Sequence, residues 1–318
     1  MEEQSRTNQT NRQLHIYHGI LGLIIAGIII FLSPLGSVLG LYGTGVNELL
    51  LFACAILIAK TAGADLKKVF PLQTPTFRQT AGTVILWIAS MILMTVATLI
   101  MTVLFPTEVG EVSSGLMSAF LSVPLEMRIL IIVILPAICE EMIFRGLFLH
   151  SLLRPKIMRQ RKWIPIIISG LVFGAFHGNP VRMVPTAFLG IMMAYLVLET
   201  DNMFYNMLFH GINNGISILS TIAVGAIPQE SETLQLTEIT ATGREYALFS
   251  VGIYLCFAAV VPFLMYLGRY LIHCKAGEER KKLFPKGKPW IPLMLLGISA
   301  LLFVAGMVVM IGAVGNMI

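Results

Sequence analysis

Charge is scarce in this chain. Asp, Glu, Lys and Arg make up 12% of its 318 residues, where a soluble domain carries about a quarter. Hydrophobic residues reach 56% and mean hydropathy is +0.83. That balance excludes an ordinary soluble core. It predicts an all-α, polytopic transmembrane bundle, because a chain in hydrocarbon must satisfy its own backbone hydrogen bonds. Cysteine is sparse as well. Cys54, Cys139, Cys256 and Cys274 form no C-x-x-C pair, which excludes a zinc ribbon and a disulfide framework. They read as small buried apolar residues. Internal repeats and low-complexity segments are absent. So are the basic n-region and small-residue cleavage site of a signal peptide, and the first apolar run reads as a retained anchor.

Several catalytic signatures are missing too. There is no Gly-x-Ser-x-Gly elbow and no His-Glu-x-x-His helix. There is no Gly-x-Gly-Asp motif, and no Asp lies within a central span. Ser113 and Ser114 sit in an acidic loop. A Cys–His arrangement has only Cys139, beside Glu140, to offer. The net charge of +5 sits in short loops between apolar runs, so it reads as a topology signal and not as a nucleic-acid surface.

What is present is a series of apolar runs. Nine spans are expected, at 16–47, 48–62, 82–105, 127–153, 163–177, 183–198, 202–224, 246–268 and 290–318, or eight if a short one is re-entrant. The connectors alternate in charge. Lys60, Lys67, Lys68 and Arg78 follow the second span, Arg154 to Lys162 follow the fourth, and Arg269 to Lys288 follow the eighth. The third connector holds Glu108, Glu111 and Glu126, and the seventh holds Glu230, Glu232 and Glu238. This pattern predicts a cytoplasmic N-terminal tail, 1–15, and cytoplasmic basic loops. The segment from Asp65 to Thr80 reads as an interfacial connector, and the loop from Gly225 to Glu245 as polar and mobile.

The fourth run carries charge where none is expected: Glu140, Glu141 and Arg145 lie inside it. Unpaired, three such groups cost on the order of 8 kcal/mol at a helix centre. Glu141 and Arg145 are four apart, with the acid on the N-terminal side, so they can neutralise one another. Glu140 is about 100° round the helix and is left seeking another partner. The fifth run ends at His177, and the seventh carries His210, Asn213 and Asn214. His210 and Asn214 share a helix face; Asn213 is the weaker candidate. Glu140 lies 14 residues before Arg154 and His177 lies 14 after Trp163, about 21 Å of helix in each case. Measured from the basic ends, the four groups reach one level, and the expectation is a site open to the cytoplasmic side.

The arrangement Glu140-Glu141-x-x-x-Arg145, then Phe173-x-x-x-His177, then His210-x-x-x-Asn214 resembles the three-motif signature of the CPBP family. Those are the CAAX-processing and bacteriocin-processing proteases, often called Abi domains. The resemblance covers about residues 125–222, set between N-terminal helices at 16–105 and a C-terminal hairpin at 246–318. It implies an intramembrane endopeptidase in which Glu140 and His177 activate a water and His210 and Asn214 bind the oxyanion. Glu141 and Arg145 match supporting positions. It also implies a peptide or membrane-protein substrate, and a bacterial cell membrane is the expected location. A metal-free glutamate mechanism is favoured; Zn²⁺ held by Glu140, His177 and His210 is the alternative. Two other classes compete. One is a non-catalytic membrane regulator or scaffold of the same family. The other is an ion-coupled transporter, which intramembrane Glu and His also mark, although paired broken helices in matching halves are missing. The oligomeric state is open; Gly170-x-x-x-Gly174 suits close helix packing within or between chains.

Overall fold

A computed structural model describes residues 14–225, 239–274 and 282–317. Most of the N-terminal tail, most of the 225–245 loop and part of the basic stretch after the eighth run lie outside the described residues. Those that are described form helices and no strand.

Helix α1, Ile16–Gly27, continues as a π-helical turn, Ile28–Leu32. A short α2, Leu35–Leu39, precedes α3, Leu41–Thr61. Between them Gly40 takes φ +56°, a left-handed value that favours glycine. The connector that follows holds only one turn, α4 (Leu66–Val69), capped by Asp65, whose carboxylate accepts from the Lys67 N–H. Helix α5 is Phe77–Leu104, and α6, Pro106–Leu121, occupies the expected acidic loop. Residues 125–152 form one helix, α7. Within it, π-helical Ile129–Ile134 and Met142–Leu149 flank the α-helical Leu135–Glu141. Then come α8 (Lys156–Gln160), α9 (Trp163–Ala175), α10 (Pro180–Thr200) and α11 (Met203–Gly225). Helices α12 (Ile239–Ala258), α13 (Val261–Ile272) and α14 (Trp290–Met317) complete the chain.

Among the described residues, five helices are long and apolar enough to cross a membrane: α1 with α2, α3, α5, α10 and α14. The pair α12 and α13, bent by 46°, makes a sixth when taken as one span. This is fewer than the eight or nine expected, and the reason is physical. Helix α9 has 13 residues, about 20 Å of rise. Helices α7 and α11 carry the charged and amide groups of the motifs, which lower their hydropathy.

Helices α9 and α10 pack closely. A Cβ on Gly170 would fall 2.5 Å from the Ile191 N, and one on Gly190 would fall 2.8 Å from the Gly170 Cα. The small residues noted in the sequence therefore join two helices of this chain, drawing His177 and Arg145 toward the same interior. Around them a core of Leu51, Ile143, Phe144, Leu147, Ile166, Phe173, Met193 and Phe209 is almost fully buried. The outer helix α14 packs on α12, where a Cβ on Gly306 would fall 2.6 Å from the Cys256 N.

Candidate active site

The site is built from the interior outward. Glu141 and Arg145 are fully buried, and the Arg145 Nη1 donates to the Glu141 Oε1 at 2.8 Å. The i,i+4 pair expected from the sequence is formed. Glu141 also accepts from the Asn206 Nδ2 at 2.6 Å and from the His210 Nδ1 at 3.0 Å. One carboxylate therefore ties α7 to α11 at two points. Arg145 donates in addition to the Gly190 carbonyl of α10 at 3.1 Å. Its guanidinium carbon lies 4.2 Å from the Phe173 ring centroid, in cation–π geometry. The charges that looked prohibitive thus form a cross-link among four helices, as buried charge requires.

Helix α7 is wound irregularly where it meets the site. Pro136 has no N–H to offer the carbonyl four residues back, that of Ile132. Asn214 Nδ2 donates there at 2.9 Å. At the far π-helical stretch, the His150 Nδ1 lies 2.8 Å from the Arg145 carbonyl and 2.9 Å from that of Gly146. Side chains thus supply what the π turns withhold from the backbone; such turns are frequent at functional sites.

Glu140, His177, His210 and Asn214 line one cavity of about 590 Å³. Glu140 points away from the buried pair, its side chain 19% exposed, with its Oε2 3.9 Å from the His210 Nε2. The His177 Nδ1 lies 3.0 Å from the Phe173 carbonyl. A carbonyl only accepts, so Nδ1 carries the proton and the neutral ring presents its Nε2 lone pair elsewhere. His177 stands where it does because Gly178, at φ +66°, reverses the chain directly after it. The Asn179 Oδ1 then accepts from the Val181 N–H at 2.8 Å and caps α10. Asn213 donates to the Asn214 Oδ1 at 3.3 Å, beside the site and not in its wall.

Sequence reasoning missed three groups. Glu48 of α3 is 6% exposed and lines the cavity, its carboxyl within hydrogen-bonding reach of Glu140; its Oε2 has no partner among the described residues. Arg182, at the start of α10, lines the same cavity as Glu140. Asn206 lies four residues before His210, on its face. Ser113, passed over for its place in an acidic loop, is also on the wall. Among the described residues no three His, Cys, Asp or Glu side chains are grouped so as to hold a metal ion.

The lining of the cavity lies mostly toward one end of the bundle. Its walls come from the opening turns of α3, α7 from Ile131 to Glu140, His177 after α9, Arg182 on α10 and α11 from His210 to Thr221, with α6 across them. Most of these lie toward the helix ends away from the basic connectors. At the basic ends the chain is closed. The Met203 N–H donates to the Pro71 carbonyl at 2.7 Å, Gln73 and Asn202 exchange two hydrogen bonds, and the Tyr205 hydroxyl bridges the Thr76 N–H and Gln79. The Phe70 ring packs where a Cβ on Gly146 would be, 2.3 Å from it.

These features define a polytopic helical membrane protein with a recessed Glu/His/Asn cavity. Residues 122–216 match the family described as Rce1-like, type II CAAX prenyl endopeptidase. That stretch contains all three motifs and bears out the recognition of the CPBP and CAAX protease family. No curated protein and no solved structure matches the chain.

Proposed function

We propose that this protein is a membrane-embedded endopeptidase that hydrolyses a peptide bond with water activated by Glu140. The observation that carries the reading is the meeting of Glu140, His177, His210 and Asn214, from separate parts of the bundle, on the wall of one cavity. The family match over 122–216 supplies the reaction class. Helices α7, α9 and α11 cross the membrane with the longer apolar helices, and the N-terminal tail is cytoplasmic.

The chemistry follows from the parts. Glu140 takes a proton from a water whose oxygen attacks the scissile carbonyl carbon, acting as a positioned general base. The His177 Nε2 accepts from the same water and fixes its direction. Charge then develops on the carbonyl oxygen, where preorganised donors act most strongly. Asn214 has a second amide proton beyond the one given to Ile132, and the His210 Nε2 donates when the ring carries both protons. The C–N bond breaks as the proton held by Glu140 passes to the leaving amine. Glu141 and Arg145 hold His210 and α7 in place.

The test is cleavage of quenched fluorescent peptides by the purified protein in detergent. Glu140→Gln keeps the shape, removes the base, and lowers kcat by about 10²–10⁴-fold. Equal cleavage by wild type and Glu140→Gln refutes the assignment. Cleavage by neither, with membrane phenotypes that survive Glu140→Gln, supports the non-catalytic regulator instead.

A further inference from the structure

We infer that the cavity is entered from the non-cytoplasmic face of the membrane, and that its substrate is a peptide segment presented on that face. An exported or surface-displayed chain fits; the C-terminus of a cytoplasmic protein does not. The inference rests on the endopeptidase reading for the word substrate, but its geometry stands without it.

Three observations converge. The first is where the walls lie. Thr44 is near the start of α3, whose other end carries Lys60. Ile132 is in the first half of α7, which runs on into Arg154 and the bases after it. Ser217 and Ser220 lie toward the end of α11, far from its start beside Asn202. Ser113 is on α6, which follows the end of α5 remote from Arg78. Apart from Glu140 and His210, which lie near the middle of their helices, these walls are toward the helix ends opposite a basic connector.

The second is the charge count. Of the 22 Lys and Arg residues, only Arg128, Arg182 and Arg244 fall at the cavity end. Arg145 is buried in the core. All others lie in the basic connectors or the N-terminal tail. Bias in Lys and Arg orients membrane proteins with the basic side in the cytoplasm. The cavity end also carries Glu108 and Glu111 on α6.

The third is closure. At the basic ends the paired hydrogen bonds of Gln73 with Asn202, the Tyr205 bridge and the Phe70–Gly146 contact occupy the space through which a cytoplasmic peptide would have to pass. Beneath them lies the fully buried Glu141–Arg145 pair. A hollow at these ends, lined by Lys68, His150, Arg154 and Arg159, is separate and includes none of the four site residues. The lining toward the other end includes Ser113, Ser217, Ser220 and Thr221 beside the apolar Leu116 and Phe120. Such a lining admits water and an extended polar backbone together with apolar side chains.

Two measurements on the full-length protein test this. Ser113→Cys and Ser217→Cys are labelled with a membrane-impermeant maleimide in intact cells and in inside-out vesicles, with Lys156→Cys as the control for the basic side and wild type as the cysteine background. Labelling of Ser113→Cys and Ser217→Cys in intact cells, and of Lys156→Cys only in inside-out vesicles, is the expected result; the reverse pattern overturns the inference. Next, quenched peptides too polar to cross a bilayer are added to sealed vesicles of both orientations. Cleavage by right-side-out vesicles, and by inside-out ones only after detergent, supports the inference. Cleavage by sealed inside-out vesicles alone overturns it. If neither preparation cleaves even in detergent, the endopeptidase reading falls, and the labelling still decides which face the cavity opens to.

Discussion

The Glu141–Arg145 pair offers the sharpest test of how this bundle is held together, because its two members are unequally supported. Remove the arginine, as in Arg145→Met, and Glu141 keeps the Asn206 amide at 2.6 Å and the His210 ring at 3.0 Å. Remove the acid, as in Glu141→Leu, and Arg145 keeps only the Gly190 carbonyl at 3.1 Å and the Phe173 face at 4.2 Å. Its Nε has no hydrogen-bond partner among the described residues. Breaking a buried pair costs about 3–5 kcal/mol through the charge left behind. The acid-deleted variant belongs at the top of that range and the base-deleted one near the bottom. Replacing both partners with apolar residues of like volume is often close to neutral, so Glu141→Leu with Arg145→Met regains most of the loss. Thermal unfolding of the purified protein in detergent reads the difference, with a drop in Tm on the order of 6 °C or more for Glu141→Leu. Equal losses in the two single variants refute the reasoning, and so does a double variant whose loss is the sum of the singles. Either result means the pair is not mutually dependent as its geometry requires.

Other outcomes follow from single features. Glu140→Gln, which removes a partly exposed carboxylate facing Glu48, leaves Tm unchanged or raised while cleavage disappears; a fall in Tm comparable to that of Glu141→Leu contradicts this. Glu48→Leu removes a buried acid with an oxygen unpartnered among the described residues and stabilises by about 1 kcal/mol or more, read as a higher Tm. Gly190→Ala drives a Cβ to within 2.8 Å of the Gly170 backbone and destabilises by about 1–3 kcal/mol; an unchanged melting curve tells against the tight α9–α10 contact. Asn214→Asp keeps the shape but removes both amide protons, and lowers kcat by about 10²-fold or more with little change in KM.

The helical class was legible because 12% charge in 318 residues leaves few alternatives. The groups that line the cavity were legible for a related reason: ionisable residues inside apolar runs are costly, so their presence asks for partners. Glu141 and Arg145 found each other by spacing alone. Glu48 was missed because an acid near the edge of an apolar run reads as a span boundary. The structure starts that helix at Leu41, behind the left-handed Gly40, and so places Glu48 two turns inside. Asn206 stood in view four residues before His210, but amides so near a helix start are common. The π turns of α7 have no signature in periodicity; Pro136 was their only visible sign. The opening direction was not legible, because depth was measured from the basic ends alone and a group halfway along a span is as far from one end as from the other. The expected eight or nine spans included short or polar helices, such as α7, α9 and α11, beside the long apolar ones that length and hydropathy single out.

The cross-link from Glu141 to Asn206 and His210 also constrains how the protein is made. Ribosomes deliver α7 to the membrane well before α11 exists, since more than sixty residues separate Glu141 from its two partners. Throughout that interval Arg145, one turn away, is the acid's only companion from the motifs, and Glu140 has none. A nascent α7 is therefore a poor candidate for early release from the translocon, and it leaves most easily as a pair with α11. Truncations that end before residue 203 will strand α7 outside the bilayer, whereas those that end after 225 will not.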